Sequence, residues 1–136
     1  MKQKFIVGDL IRYTSLYKEP IAEICEIRET SYLIRYMNGN FARVTNKEIK
    51  PIPLTPEILE KNGWDKDNSK FDEYYDNPEY ENRYFNWTYN LTLDLDECSV
   101  YKGTSGILYC LLSKIKYVHQ LQHLLFGLGL NSEMEV

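Results

Sequence analysis

The chain has 136 residues, of which 43% are hydrophobic and 26% are charged, and its net charge is −4. This length suits one domain or a small module with an appendage, and the composition excludes collagen-like, low-complexity and wholly disordered chains. Residues 1–54 carry a net charge of +3, residues 55–100 carry −8 and residues 101–136 carry +1, so a mildly basic front precedes an acidic middle.

The front of the chain, residues 1–54, is predicted to form five short strands. Gly8 and Asp9 mark a bend in the first, and Asn38-Gly39 supplies the positive φ angles of a tight hairpin turn before the fourth. Five short strands joined by hairpins predict a small barrel, and the stretch from Val7 to Ile11 (VGDLI) resembles the first strand of SH3-like barrels. The predicted strands span residues 5–13, 21–28, 32–37, 41–44 and 49–54.

A connector, residues 55–82, follows the predicted barrel. Thr55 suits a helix N-cap, Pro56 suits the first turn and Gly63 suits the end, so the pattern predicts one short helix. Residues 65–82 are polar, acidic and rich in tyrosine, which predicts a loop.

The last part, residues 83–136, is predicted to form a second antiparallel sheet with a C-terminal helix packed on it. Residues 83–90 and 91–95 alternate in polarity, with Phe85, Trp87 and Tyr89 on one face, and a strand pair is expected within residues 99–112. Its turn falls at Lys102-Gly103 or Ser105-Gly106. The predicted class is therefore α+β, mostly β. A helix of about 11 residues is indicated by the spacing of Val118, Leu121, Leu125 and Leu128, with Gly129 ending it.

Three stretches carry a family resemblance: residues 49–64 (IKPIPLTPEILEKNGW), the aromatic strands after them, and residues 115–124 (IKYVHQLQHL). Together they resemble a group of small uncharacterised proteins encoded in prophages, phages and mobile elements of gut bacteria. The resemblance covers most of the chain outside residues 65–82. It implies a phage or mobile-element context and no particular activity.

The cellular location is predicted from the lack of an apolar segment of sufficient length. Gly8 and Asp9 interrupt the basic start, and the most apolar stretch, residues 121–130, is shorter than the roughly 20 residues that span a bilayer. We therefore expect a cytoplasmic protein without a membrane partner. Three widely spaced cysteines with apolar neighbours predict buried, reduced thiols; they are Cys25, Cys98 and Cys110.

A pair of histidines, His119 and His123, lies four residues apart on the predicted helix, where both rings can share one face and bind a metal. The chain has no third His, and Gln120 stands where a metalloprotease helix has Glu. We therefore expect no metal there, and predict that these side chains, with Gln120 and Gln122, form a polar rim that hydrogen-bonds to another segment or partner.

Two carboxylates, Asp94 and Asp96, fall on one face at the end of a predicted strand, and such pairs can bind Mg²⁺ or share acid–base work. No downstream Glu-x-Lys or His completes a nuclease set, so a metal-dependent nuclease is the third-ranked interpretation. Ser105 lacks the spacing of a nucleophile elbow, and Gly103–Gly106 is too short for a phosphate loop. We expect no catalytic residue, no cofactor and no enzymatic activity.

Two binding surfaces remain as candidates for function. The aromatic fraction is 14%, from twelve Tyr, five Phe and two Trp, and Tyr and Trp supply rigid contact area at interfaces. The favoured interpretation is an adaptor or inhibitor that binds a host or phage protein through the acidic loop. Its candidate partner-binding residues are Tyr74, Tyr75, Asp76, Glu79, Tyr80 and Glu81. With Asp72 and Glu73, these acids could also imitate a pattern of nucleic-acid phosphates.

The alternative interpretation is a nucleic-acid-binding accessory protein that uses the predicted barrel. Aromatic side chains for stacking and cations for phosphate contacts occur together on this module. The front carries only +3, which is far from the strongly basic footprint of such proteins. The candidate residues for this alternative are Arg12, Tyr32, Arg35, Tyr36 and Arg43.

Overall fold

The computed structural model describes residues 5–66, 82–103 and 110–136, together with all their side chains except that of Cys110. Within these residues the protein has two antiparallel five-stranded sheets and two helices, so the predicted α+β, mostly β class is confirmed. The chain divides into two compact units. Unit 1 comprises the described residues of Met1–Pro53 and Tyr117–His123, and unit 2 comprises those of Leu54–Lys116 and Leu124–Val136.

The core of the unit 1 sheet is formed largely by buried β-branched side chains. Ile11, Ile24 and Ile34 come from three neighbouring strands and are fully buried, and the rings of Tyr32 and Tyr36 pack against them. The strand order is β4-β3-β2-β1-β5. The strands are β1 (Leu10–Tyr13), β2 (Ile21–Ile27), β3 (Tyr32–Tyr36), β4 (Phe41–Val44) and β5 (Ile49–Pro51).

This sheet is open, so the predicted SH3-like barrel is not confirmed. Its edge strands are β4 and β5, and within the described residues they do not pair with each other. The short β5 uses all three of its residues to pair with β1, and Pro51 has no N–H to donate to a further strand. Two smaller details also differ from prediction. In the turn before β4 only Gly39 has a positive φ, and β2 has a bulge at Cys25.

Unit 2 begins with helix α1 (Pro56–Lys61), as the sequence predicts. The side chain of Thr55 accepts a hydrogen bond from the Ile58 N–H, and the helix ends at Asn62, before Gly63 with φ +83°. The sheet that follows has the order β10-β9-β8-β7-β6. Its strands are β6 (Asp65–Lys66), β7 (Arg83–Asn86), β8 (Leu91–Asp94), β9 (Ser99–Lys102) and β10 (Cys110–Lys114).

The long alternating strand predicted from residue 83 is wrong beyond Asn86, because residues 87–90 form the turn between β7 and β8. The Asn86 Oδ1 atom accepts a hydrogen bond from the Tyr89 N–H, and Asn90 adopts φ +56°, a conformation that asparagine tolerates better than most residues. Phe85 is buried, but Trp87 is 53% exposed instead of continuing a buried face.

Helix α2 (Val118–Gly127) confirms the predicted C-terminal helix, and its residues divide between the two units after His123. Val118, Leu121 and Leu125 are buried as their spacing predicts, whereas Leu128 lies beyond the helix and is exposed. Gly129 ends the helix with φ +73°. Neither helix in the described part of the chain is long and apolar enough to cross a membrane.

Candidate functional site

A buried carboxylate, Asp9, stands at the start of the unit 1 sheet. Gly8 precedes it with φ +97° and turns the chain so that the Asp9 side chain points inward. Its Oδ2 accepts the Ile6 N–H at 2.8 Å, and its Oδ1 lies 2.7 Å from the His123 Nε2. Burial raises the pKa of the Asp9 carboxyl above its usual value, against the opposing effect of these two hydrogen bonds.

Helix α2 adds a buried polar side chain to this site, that of Gln122. The Gln122 carboxamide accepts the Leu10 N–H at 3.1 Å and donates to the Gly8 carbonyl at 3.3 Å. His123 and Gln122 thus hydrogen-bond to another segment, as the predicted polar rim requires. Their partners lie more than 110 residues away in sequence.

His119 departs from the predicted polar rim because it is only 3% exposed. Its ring lies among those of Phe5, Tyr117 and His123, with centroids at 4.9, 5.9 and 5.5 Å. Burial, aided by the neighbouring His123, lowers the pKa of His119 to about 4. Its Nδ1 atom has no hydrogen-bond partner among the described residues. Within that same part of the chain, no three His, Cys, Asp or Glu side chains are placed to hold a metal ion.

The carboxylates proposed for a nuclease site, Asp94 and Asp96, do not share a face. The strand β8 ends at Asp94, and residues 95–98 form a turn in which Cys98 has φ +53°. The Asp94 carboxylate is buried, lies 3.3 Å from the Arg83 Nε and accepts the N–H groups of Asp96 and Glu97 at 2.9 and 3.1 Å. The exposed Asp96 side chain instead accepts a hydrogen bond from Asn82. The arrangement organises a turn.

The five residues considered for nucleic-acid binding separate onto two sides of the unit 1 sheet. Tyr32 and Tyr36 pack against the hydrophobic core, whereas the three arginines alternate away from it. Each arginine meets a glutamate: Arg12 lies 3.2 Å from Glu19, Arg35 2.8 Å from Glu23 and Arg43 3.7 Å from Glu26. The three arginines therefore lie beside glutamates on one side of the sheet, whereas Tyr32 and Tyr36 lie on the other side.

A group of exposed apolar side chains lies on the β3–β4 hairpin, outside both sets of residues predicted for partner binding. Phe41 is 59% exposed and stands directly opposite Arg35, and Met37 in the adjoining turn is 67% exposed. We name Met37 and Phe41, together with Arg35, the Phe41 surface. The signal was present in the sequence, because Phe41 alternates with the inward-facing Ala42 and Val44.

Comparison with known proteins gives no further guide to this surface, because no family model, curated protein or solved structure matches the chain. The predicted partner-binding residues of the acidic loop, Tyr74, Tyr75, Asp76, Glu79, Tyr80 and Glu81, lie outside the described residues, as do Asp72, Glu73 and Ser105. Two of the predicted thiols, Cys25 and Cys98, are free and half-buried.

Proposed function

We propose that the protein is a non-enzymatic, cytoplasmic interaction protein of phage or mobile-element origin, which binds a host or phage protein through the Phe41 surface. The observation that carries this proposal is the exposure of Phe41 and Met37 beside Arg35 on the β3–β4 hairpin. Aromatic residues, Met and Arg are the side chains most enriched at protein interfaces. The resemblance of three stretches to phage and mobile-element proteins supports the context.

A protein partner is favoured over a nucleic acid because the arginines of unit 1 already have glutamate partners. A phosphate backbone would have to compete with Glu23 for Arg35 and with Glu26 for Arg43. The net charge of −4, and of −8 over residues 55–100, further opposes phosphate binding. The same acidic stretch would speed association with a basic protein partner.

A non-enzymatic role is supported by what the buried polar side chains do. Asp94 holds the N–H groups of a turn, and Asp9 and Gln122 hold backbone groups at the start of the unit 1 sheet. Side chains that satisfy buried backbone groups in this way stabilise the fold and are poorly placed to exchange those bonds for a substrate.

The test is the loss of partner binding when the Phe41 surface is made polar. A partner recovered by affinity purification from the host would be purified and titrated against the wild type and the M37S/F41S variant. Removing two anchors of about 1 kcal/mol or more each should weaken binding at least about 30-fold.

The matched control for this test is Tyr17→Ser, because Tyr17 is also aromatic and is 91% exposed in the same unit. The control should bind the partner as tightly as the wild type does. Equal affinity of M37S/F41S and the wild type would contradict the proposal.

A further inference from the structure

A cleft of about 80 Å³ lies in unit 2, between the end of α1 and the residues that follow α2. Its walls include Asn62, Trp64, Tyr89, Leu125 and Met134. The lining is mixed: Trp64 and Leu125 contribute buried apolar side chains, whereas Asn62, Asn86, Asn131 and Glu133 contribute polar ones. Asn131, Glu133 and Met134 line the cleft and Glu135 hydrogen-bonds to Asn62, in a segment, residues 131–136, without helix or strand structure.

Asn62 holds residues 131–136 by their backbone. Its Nδ2 donates to the Glu135 carbonyl at 2.7 Å, and its Oδ1 accepts the Glu135 N–H at 2.8 Å. A carboxamide that pairs with both the N–H and the C=O of one residue imitates a neighbouring β-strand. Such a contact reads an extended backbone and places no demand on the Glu135 side chain, which is exposed.

The Asn62 carboxamide is oriented by its own helix before it meets this backbone. The same Nδ2 atom also donates a hydrogen bond to the Ile58 carbonyl of α1, at 2.7 Å. The side chain is therefore fixed in the conformation that pairs with Glu135, and its ordering cost on binding is small. Met134, immediately before Glu135, supplies the apolar side chain that lines the cleft.

We propose that this Asn62 cleft is a binding site for an extended peptide of a partner protein, and that residues 131–136 occupy the site in the free protein. The peptide recognised carries an unbranched apolar side chain, as Met134 does, just before the residue whose backbone pairs with Asn62. A partner protein is favoured over residues 131–136 of a second copy, because each copy carries a charge of −8 over residues 55–100 and two copies repel each other. The site is independent of the Phe41 surface.

The occupying segment is tethered, so it competes at an effective concentration on the order of 1 mM. The test therefore weakens the segment first, in the full chain, by Glu135→Pro, which removes the N–H that Asn62 accepts. The probe is a fluorescein-labelled peptide with the sequence of residues 131–136 (NSEMEV), followed by fluorescence anisotropy. We expect Glu135→Pro to bind it about tenfold or more tighter than the wild type does.

Two controls isolate the backbone contact. Glu135→Ala keeps the N–H and loses only an exposed side chain, so it should bind the probe as weakly as the wild type does. A second probe, with proline in place of the second Glu, should not bind the Glu135→Pro protein. This comparison changes only the probe, so it does not depend on how a further substitution affects folding. Asn62→Asp, added to Glu135→Pro, should abolish binding because the carboxylate cannot donate to the peptide carbonyl.

Three outcomes would overturn the proposal. One is equal binding of the probe by Glu135→Pro and Glu135→Ala, and another is equal binding of the two probes by the Glu135→Pro protein. The third is a concentration-dependent dimer of the wild type that Glu135→Pro dissociates without any gain in probe binding, since that result would assign the cleft to a second copy. Partner capture by the Phe41 surface is unaffected by all of these variants, so the two proposals fail separately.

Discussion

At the scale of single residues, Asp9 and Asp94 are nearly inaccessible carboxylates that accept backbone N–H groups from a neighbouring turn. Each also has a basic neighbour, His123 for Asp9 and Arg83 for Asp94. A buried carboxylate is tolerated only with such partners. Asn62 also hydrogen-bonds to backbone groups, but through a neutral carboxamide. Its pairing with the backbone of Glu135 therefore needs no charged neighbour.

His119 should make the stability of the fold depend on pH. Its pKa is about 4 in the folded protein and 6.5 in the unfolded chain, so between these values the unfolded chain binds more protons. The free energy of unfolding should therefore fall as the pH is lowered through this window, by roughly 2 kcal/mol between pH 7 and pH 4.5. Urea titrations of the wild type at the two pH values measure this loss.

The control for this pH dependence is His119→Phe, which keeps an aromatic ring beside Phe5 and Tyr117 and removes the proton site. Asp9 is present in both proteins. Its raised pKa acts in the opposite direction, because the folded state then takes up a proton before the unfolded chain does as the pH falls. The contribution of Asp9 therefore cancels when the pH dependence of the wild type is compared with that of His119→Phe. Parallel losses of stability in the wild type and His119→Phe would disprove the assignment to His119.

At the scale of elements, the turn between β8 and β9 depends on Asp94. Asp94→Ala removes the acceptor of two N–H groups and leaves Arg83 beside a cavity, so it should cost about 3 kcal/mol. Asp94→Asn keeps one oxygen for the turn but loses the charge and the oxygen that accepts from Arg83, so its cost should be intermediate, about 2 kcal/mol. Chemical denaturation of the purified variants gives both values.

Asp96→Ala is the matched control, because Asp96 is exposed in the same turn and its side chain accepts a hydrogen bond from Asn82. It should change stability by less than about 0.5 kcal/mol. If Asp94→Ala cost no more than Asp96→Ala, the buried carboxylate would not be what holds this turn.

Most elements could be predicted from the sequence because their signals are local. Thr55, Pro56 and Gly63 set the limits of α1, and the spacing of Val118, Leu121 and Leu125 set the buried face of α2. The turn at residues 87–90 was missed because its polarity continues the alternation of β7, and the Asn86 side chain that closes it has no distinctive spacing. The partner of His123, Asp9, lies 114 residues away, so only the folded chain reveals it.

At the scale of the whole molecule, the balance of arginine and glutamate in unit 1 predicts that neither DNA nor RNA is bound. Gel-shift titration at low salt should show no retarded complex with the wild type. In the E23Q/E26Q variant, Arg35 and Arg43 lose their carboxylate neighbours, so weak and salt-sensitive binding should appear.

The paired control for the gel shift is R35Q/R43Q, which should bind no better than the wild type does. Tight wild-type binding that R35Q/R43Q abolishes would instead favour the nucleic-acid-binding alternative, with Arg35 and Arg43 as its contacts. The comparison thus separates the two classes of partner by charge alone.

The two tryptophans, Trp64 and Trp87, both belong to unit 2, and the chain has no others. Trp64 is 2% exposed and Trp87 is 53% exposed, so iodide should quench the emission of the second and spare that of the first. Indole emission is consequently a built-in optical reporter for one half of the molecule, whereas circular dichroism registers both halves. Melting curves recorded by the two signals would reveal whether the two units unfold together or one before the other.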